Sequence, residues 1–141
     1  MQKLSLNSLK KKLKRYPHLN SIQSFIDKVL NDGIKFLLLY GSLAKGNYTQ
    51  YSDIDILCVF DADFEDQKER FMAAYRHSDG IIQPKSLSYK EFKKGLLDGN
   101  PFLHSIIENG IILYSGISEE NLKNWIKEGK KKLKIKFLPP D

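Results

Sequence analysis

A run of eight residues in the middle of the chain, Asp53 to Phe60, constrains the fold more than any other feature. Side chains alternate between the two faces of a strand, and from Ile54 onward this run is apolar on both faces except for Asp55. A strand of this kind lies inside a sheet that other elements cover on both sides. The sequence therefore predicts a layered protein of the α/β (α+β) class.

Strands and helices alternate along the rest of the chain. The predicted strands are Ile34 to Tyr40, Asp53 to Phe60, Ile81 to Gln83 and Ile111 to Tyr114. The predicted helices are one that ends near Arg15, one capped by Asn20 and stopped by Gly33, one from Phe64 to His77, and three capped by Ser88, Asn100 and Ser118. Residues 41–52 are predicted to form a loop. The pattern favours a small mixed sheet flanked by helices, without an internal repeat.

The length and composition fit one ordinary globular domain. The chain has 141 residues, and its longest apolar run, Phe36 to Tyr40, is far too short to cross a membrane. The single cysteine, Cys58, cannot form an internal disulfide, and no signal peptide is recognised at the first residues. We expect a cytoplasmic protein.

The net charge of +6 comes from the two ends of the chain. Residues 1–15 contain six basic side chains and no acidic one, and residues 119–141 contain seven lysines against four acids. Such segments can bind nucleic acid through its phosphates. They lack the interleaved aromatic residues that stack on bases, so solvated helix ends are the other interpretation.

Two carboxylates stand at the start of the predicted central strand. Asp53 and Asp55 share one strand face, so they point the same way within a few ångströms of each other, and their like charges repel. A hard divalent cation such as Mg²⁺ relieves this repulsion, because it binds carboxylate oxygens and leaves positions open for water and phosphate. The alternative is that Asp53 is a turn residue and Asp55 an exposed acid at an edge.

The loop before this strand begins with Gly41 and Ser42, directly after a buried strand. Backbone N–H groups in such a turn, together with the Ser42 hydroxyl, can bind phosphate oxygens. Gly41 and Gly46 have the separation of a Walker A loop, but Asn47-Tyr48 replaces the required Lys-Ser/Thr pair. Any phosphate site here is therefore of another kind.

The segments Tyr40–Gly46 and Ser52–Ile56 together resemble the signature of the minimal nucleotidyltransferases of the DNA polymerase beta superfamily. In that signature a Gly-Ser turn is followed by a strand with Asp-x-Asp. The similarity continues from Gln83 to Tyr114, so it covers about residues 20–115. The resemblance implies a nucleotidyltransferase-like domain over residues 1–141, with basic helical extensions at both ends of that core.

The resemblance also implies roles for individual residues. Asp53 and Asp55 would be the catalytic, Mg²⁺-binding pair, and Gly41 and Ser42 would hold the triphosphate. Lys45 would add positive charge near the phosphates, unless it is an ordinary solvated lysine. An acceptor hydroxyl would attack the α-phosphorus of a nucleoside triphosphate, with ATP the expected donor. A protein partner is one source of the acceptor, since small relatives often pair with a helical HEPN-type protein in toxin–antitoxin systems.

One residue departs from the pattern of the family. The family has a third carboxylate on the next strand, and the matching position here is Gln83. A neutral amide can ligate a metal weakly but cannot act as a base. Asp79 would replace it only in a different strand register. Three functions follow: a nucleotidyltransferase, a catalytically impaired nucleotide-binding or partner-binding module of the antitoxin kind, and a nucleic-acid-binding domain.

Overall fold

We describe a computed structural model of the protein over residues 2–136. Within this part of the chain, five strands form one mixed sheet in the order β1-β5-β2-β3-β4. The strands are β1 (Gln2–Lys3), β2 (Ile34–Tyr40), β3 (Ile54–Phe60), β4 (Ile82–Ser88) and β5 (Ile111–Ser115). β2 is antiparallel to both β3 and β5, whereas β4 is parallel to β3 and β1 is parallel to β5.

Helices cover both faces of this sheet. They are α1 (Leu6–Lys12), α2 (Leu19–Val29), α3 (Ser42–Lys45), α4 (Gln67–Tyr75), α5 (Tyr89–Leu97), α6 (Pro101–Asn109) and α7 (Glu119–Lys136). On one face, Ile54 and Ile56 of β3 share a buried cluster with residues of α1, α2 and α4. On the other, Leu57 and Val59 share a second cluster with residues of α5, α6 and α7. The predicted layered α/β class and the internal position of β3 are confirmed.

Local signals in the sequence place several helix ends correctly. Ser88 and Glu91 form a capping box at α5, and the Asn100 side chain caps α6, whose first residue is Pro101. Gly33 adopts a left-handed conformation (φ 76°) after the turn that ends the second helical segment. Each of these signals acts within a few residues, which is why the sequence alone is sufficient to find them.

Other element bounds differ from the predictions. β4 continues to Ser88 rather than ending at Gln83, because it lies at the edge of the sheet, where polar side chains are tolerated. The helix predicted from Phe64 to His77 is α4 (Gln67–Tyr75), with Asp66 as its cap. α2 begins at Leu19 without a side-chain cap, so the predicted cap at Asn20 is wrong.

Two short elements were not predicted, the strand β1 and the one-turn helix α3, which lies within the predicted loop. Neither is long enough to produce a periodic hydrophobic pattern. The sequence also predicts an irregular tail from Leu138 to Asp141, which lies outside the described residues.

The two basic ends of the chain pack on opposite faces of the sheet. Leu9 of α1 is buried in the cluster with α2 and α4, whereas Leu122 and Trp125 of α7 are buried in the cluster with α5 and α6. Some of the lysines are paired, since Lys123 contacts Glu119 and Lys131 contacts Glu128. The lysines of α1 and those of α7 are therefore carried over different faces of the sheet, whereas Lys3 of β1 lines one depression with Glu119 of α7. No helix within residues 2–136 has the length and hydropathy needed to cross a membrane.

Candidate functional site

The antiparallel pairing of β2 and β3 brings the glycine turn next to the two aspartates. Tyr40, the last residue of β2, pairs with Asp55 near the start of β3. Gly41 and Ser42 follow Tyr40 directly and begin α3, so they reach the same edge of the sheet as Asp53 and Asp55. Residues that are separated along the chain thus form one small cluster.

Gly41 fits this position because it has no side chain. Its backbone is in a positive-φ conformation (φ 75°), which L-residues rarely adopt. A Cβ atom at Gly41 would lie 2.3 Å from Oδ2 of Asp55, well inside van der Waals contact. The backbone at Gly41 therefore lies against the Asp55 carboxylate. The first N–H groups of α3, which follow Gly41 directly, have no partner inside the helix.

The parallel pairing of β3 and β4 places Gln83 directly beside Asp55. Residues paired in this way project from the same face of the sheet. The Gln83 side chain is exposed, and its Nε2 donates a hydrogen bond to the Gly80 carbonyl oxygen at 3.3 Å. This register excludes Asp79 from the position: Asp79 lies in the turn before β4, where its carboxylate accepts a hydrogen bond from Ser21.

The two aspartates differ in their surroundings. Asp53 is exposed just before β3, and Asp55 is half-buried within it. Burial, and then the neighbouring charge of Asp53, raise the pKa of the Asp55 carboxyl. Within residues 2–136, neither aspartate carboxylate forms an ion pair or a hydrogen bond. Nearby, burial and the charge of Asp55 raise the pKa of Tyr40 to about 12, so this hydroxyl stays protonated at neutral pH.

These donors fit a hard divalent cation. Two carboxylates without a basic partner, one of them half-buried, gain stability when a cation reduces their mutual repulsion. The Gln83 amide oxygen is a third oxygen donor at the correct register position. The described residues contain no group of three His, Cys, Asp or Glu side chains placed to hold a metal, in line with an amide at this position.

Lys45 lies apart from this cluster. It is the last residue of α3, at the opposite end from Ser42, and its side chain is exposed. It lines a shallow depression with Gln2, Lys12 and Glu108, which includes neither aspartate. The structure therefore brings together Gly41, Ser42, Asp53, Asp55 and Gln83, whereas contact between Lys45 and phosphate stays a prediction.

Sequence reasoning missed one residue that contacts the site. The Tyr16 hydroxyl donates a hydrogen bond to the carbonyl oxygen of Ser52, the residue before Asp53. The contact joins residues 36 positions apart. Tyr16 precedes Pro17 in the sequence, and no local pattern links it to Asp53.

A groove of about 600 Å³ runs along the free edge of β4. It begins at Pro84, next to Gln83, and continues past Leu87 between α4 and the α5–α6 pair. Phe71 and Phe102 line it and are partly exposed. Neither aspartate lines the groove, and Pro84, which follows Gln83 in β4, is its link to the aspartate cluster.

Fold and site together define a nucleotidyl-transfer class of protein, with a mixed sheet, a glycine turn and an aspartate pair. The sequence profile of the nucleotidyltransferase domain matches residues 22–139, and the chain belongs to this family. This confirms the expected family and the enzyme class, a nucleotidyltransferase.

Individual proteins agree with this assignment. A proposed protein adenylyltransferase of Methanocaldococcus jannaschii is 33% identical over 84 residues, which cover 57% of this chain and 79% of that protein. The crystal structure of a proposed nucleotidyltransferase of Sulfolobus solfataricus has a TM-score of 0.50 at 24% identity, covering 62% of this chain and 79% of that one. A toxin–antitoxin complex with AMP-PNP has a TM-score of 0.54 at 17% identity, covering 83% and 90%. The two structures show a shared fold.

Proposed function

We propose that this chain is a Mg²⁺-dependent nucleotidyltransferase that transfers a nucleoside monophosphate, with ATP as donor, to a hydroxyl group on a partner protein. The observation that supports this best is the unpaired aspartate couple at the start of β3, packed against the glycine turn. A half-buried carboxylate that repels its neighbour is unfavourable where no cation binds. It is favourable where a cation and a triphosphate bind.

Each part of the site has a task in this proposal. Asp53 and Asp55 would hold Mg²⁺, which would supply charge stabilisation for the phosphates. The backbone N–H groups after Gly41 and the Ser42 hydroxyl would orient the triphosphate. The acceptor oxygen forms a bond to the α-phosphorus. At the same time the bond from the α-phosphorus to the oxygen that bridges it to the β-phosphorus breaks, and pyrophosphate leaves. The proton of the acceptor passes to water or to Asp55, because the Gln83 amide cannot take it.

The choice of ATP and of a protein acceptor is supported by relatives. The Methanocaldococcus jannaschii protein is named for protein adenylylation, and the toxin–antitoxin complex was crystallised with AMP-PNP, an ATP analogue. The groove beside Gln83 would receive the acceptor side chain. A HEPN-type protein is the first acceptor to test. A cytoplasmic location, expected from the unpaired Cys58, is part of the same proposal.

The test combines binding and transfer. ATP is titrated calorimetrically into the protein with and without Mg²⁺, and ATP labelled on its α-phosphate is then incubated with the protein and a HEPN-type acceptor. Asp53→Asn should abolish Mg²⁺-dependent binding and reduce transfer by roughly 100-fold or more, because even outer-shell partners of a metal contribute about 10- to 100-fold.

Asp61→Asn is the matched control. Asp61 follows the other end of β3, where it is exposed and faces Lys35 at 3.9 Å. This variant should bind ATP and transfer label like the unmodified protein. Unchanged binding and transfer in Asp53→Asn would overturn the proposal.

A second candidate function is favoured by Gln83. With an amide beside Asp55, the protein would bind Mg²⁺ and ATP without transferring the nucleotide, and would act as a binding module for a partner such as a toxin. Metal-dependent ATP binding without label on any acceptor would support this function. Nucleic-acid binding, the third prediction, gains no support from the lysines of α1 and α7, because these two helices lie over opposite faces of the sheet.

A further inference from the structure

We infer that Tyr16, from the N-terminal segment of the chain, is a positioning residue for Asp53. The inference rests on the proposed function, since it concerns how one of the two proposed cation ligands is held. Its basis is the hydrogen bond from the Tyr16 hydroxyl to the Ser52 carbonyl oxygen. That carbonyl belongs to the peptide group whose N–H is that of Asp53, so the bond fixes the orientation of the peptide that leads into the aspartate.

Tyr16 is itself held firmly. Its side chain is only 3% exposed, and its backbone N–H donates to the Leu13 carbonyl at 2.8 Å. Leu9 and Leu13, from the same segment, are fully buried in the core cluster with α2. The Tyr16 ring makes edge contacts with His18 and Tyr48, at centroid distances of 5.5 and 5.8 Å. A ring anchored in this way can act as a fixed support for its hydroxyl.

The segment that receives this bond is also held at Tyr48, whose ring packs against the buried cluster. Residues 46–53 connect α3 to β3, and their own hydrogen bonds are local: Thr49 N–H donates to Ser52 Oγ, and Ser52 N–H donates to the Thr49 carbonyl. These bonds close the turn on itself but do not attach it to the rest of the molecule. Asp53 is exposed, so packing does not fix it. The Tyr16 hydroxyl provides an attachment to the core immediately before the aspartate.

The family match sharpens this inference. The nucleotidyltransferase domain matches from residue 22 onward, so Tyr16 lies ahead of the matched region. The loop and the aspartates lie inside it. A residue that the matched domain does not include therefore supports a residue of its proposed site. The N-terminal segment, through Tyr16, is in this view a working part of the site rather than a basic appendage.

The test compares two tyrosine hydroxyls in the same aromatic cluster. Tyr16→Phe keeps the ring and removes the hydrogen bond to Ser52. Tyr48→Phe is the matched control, because the Tyr48 ring contacts Tyr16 but its hydroxyl forms no hydrogen bond within residues 2–136. The affinity for Mn²⁺ and for Mg²⁺ is measured by calorimetry in the full chain without nucleotide. Thermal unfolding is recorded in parallel.

We expect Tyr16→Phe to weaken cation binding by about tenfold, the lower end of the range for groups that orient a metal ligand. Tyr48→Phe should bind the cation like the unmodified protein. Hydrogen exchange in residues 47–54 should become faster in Tyr16→Phe and stay unchanged in Tyr48→Phe. A merely structural role would lower the unfolding temperature without changing the cation affinity of the folded protein.

Asp53→Asn separates the two possible failures. If this variant loses cation binding and Tyr16→Phe does not, the role of Tyr16 is refuted and the proposed function stands. If Asp53→Asn binds cations normally, the proposed function is refuted and the inference falls with it. A loss in both Tyr16→Phe and Tyr48→Phe would also refute the inference, because the hydroxyl bond would then not be the cause.

Discussion

The starts of β3 and β4 lie side by side, yet they place different chemistry at the same edge of the sheet. β3 provides Asp53 and Asp55, whereas β4 provides Gln83 in register with Asp55. β3 is inside the sheet and buried on both faces, and β4 is at its edge, with Gln83 exposed. Packing on both faces of β3 thus holds Asp55 in place, whereas the exposed edge position of Gln83 tolerates different residue types. In the proposed function, the two aspartate ligands and the third donor position therefore belong to separate strands.

The largest effect is expected where the turn meets β3. Gly41→Ala puts a Cβ 2.3 Å from the Asp55 carboxylate in a positive-φ conformation, so the turn and the aspartate cannot keep their positions. We expect transfer, or cation-dependent ATP binding, to fall by roughly 100-fold and the free energy of unfolding to fall by about 1–3 kcal/mol. Enzyme assay and denaturant unfolding measure the two effects.

Gly46→Ala is the control for this prediction. Gly46 also has a positive φ (85°), but a Cβ there would meet nothing within 4 Å. Through backbone strain alone, Gly46→Ala should lower the free energy of unfolding by about 1–2 kcal/mol, and it should leave transfer unchanged. Equal losses of transfer in the two variants would show that strain, and not the approach to Asp55, is responsible.

The next effect tests β4 directly. Gln83→Asp places a third carboxylate beside Asp55 at the same register position, which supplies both a stronger cation ligand and a base for the acceptor proton. We expect transfer to increase by about tenfold or more. Gln83→Asn, which has nearly the same size without the charge, should not increase it. If Gln83→Asp leaves transfer unchanged or lower, the amide is already a complete part of the site.

A smaller effect is expected at the far end of β4, away from Gln83. Ser88, the last residue of the strand, caps α5 through the Glu91 backbone N–H, at 3.0 Å. Ser88→Ala should lower the free energy of unfolding by about 1 kcal/mol, a typical value for a lost cap, and leave transfer unchanged. Chemical denaturation and the transfer assay check this. A parallel loss of transfer would mean that the whole strand, rather than its first residues, belongs to the site.

The smallest effect is a difference in the pH dependence of stability between the unmodified protein and the Asp55→Asn variant. Burial and Asp53 raise the pKa of the Asp55 carboxyl, so the folded protein retains this proton at pH values where the unfolded chain has lost it. The unfolding free energy therefore falls as pH rises from the ordinary value of 3.8 to the raised value. Asp55→Asn lacks this fall.

In denaturant titrations with a chelator, the stability of Asp55→Asn relative to the unmodified protein should thus increase with pH through that window. Asp32 has the opposite behaviour, because its hydrogen bond to His77, above all, lowers its pKa. The contribution of Asp32 to stability is present in both proteins and cancels in the difference between them. A constant or decreasing difference would contradict the prediction.

The parts of the molecule that sequence predicted are those set by local patterns. The alternation after Asp53 identified β3, and Ser88 with Glu91 identified the start of α5. The Gly-Ser turn and the aspartate spacing identified the cluster that the structure brings together at one edge. Whether those residues bind Mg²⁺ and triphosphate stays a prediction for the experiments above.

The parts that sequence could not predict depend on distant contacts. The edge strand β4 has no alternating pattern over its full length, because its free edge accepts polar residues such as Lys85. β1 is too short for any pattern. The bond from Tyr16 to Ser52 joins two segments whose proximity follows only from the folded core. Local physics is visible in one sequence, whereas such tertiary contacts require the fold.

The pairing of β1 with β5 limits the order in which the strands can join the sheet during synthesis. Gln2 and Lys3 pair with Ile111 and Ile112, so β1 meets its strand partner only after β2, β3, β4 and β5 have all been synthesised. β3 and β4 are complete much earlier. β1 therefore has no strand partner on the sheet until β5 has emerged from the ribosome. A nascent chain can thus contain both aspartates before β1 has joined the sheet.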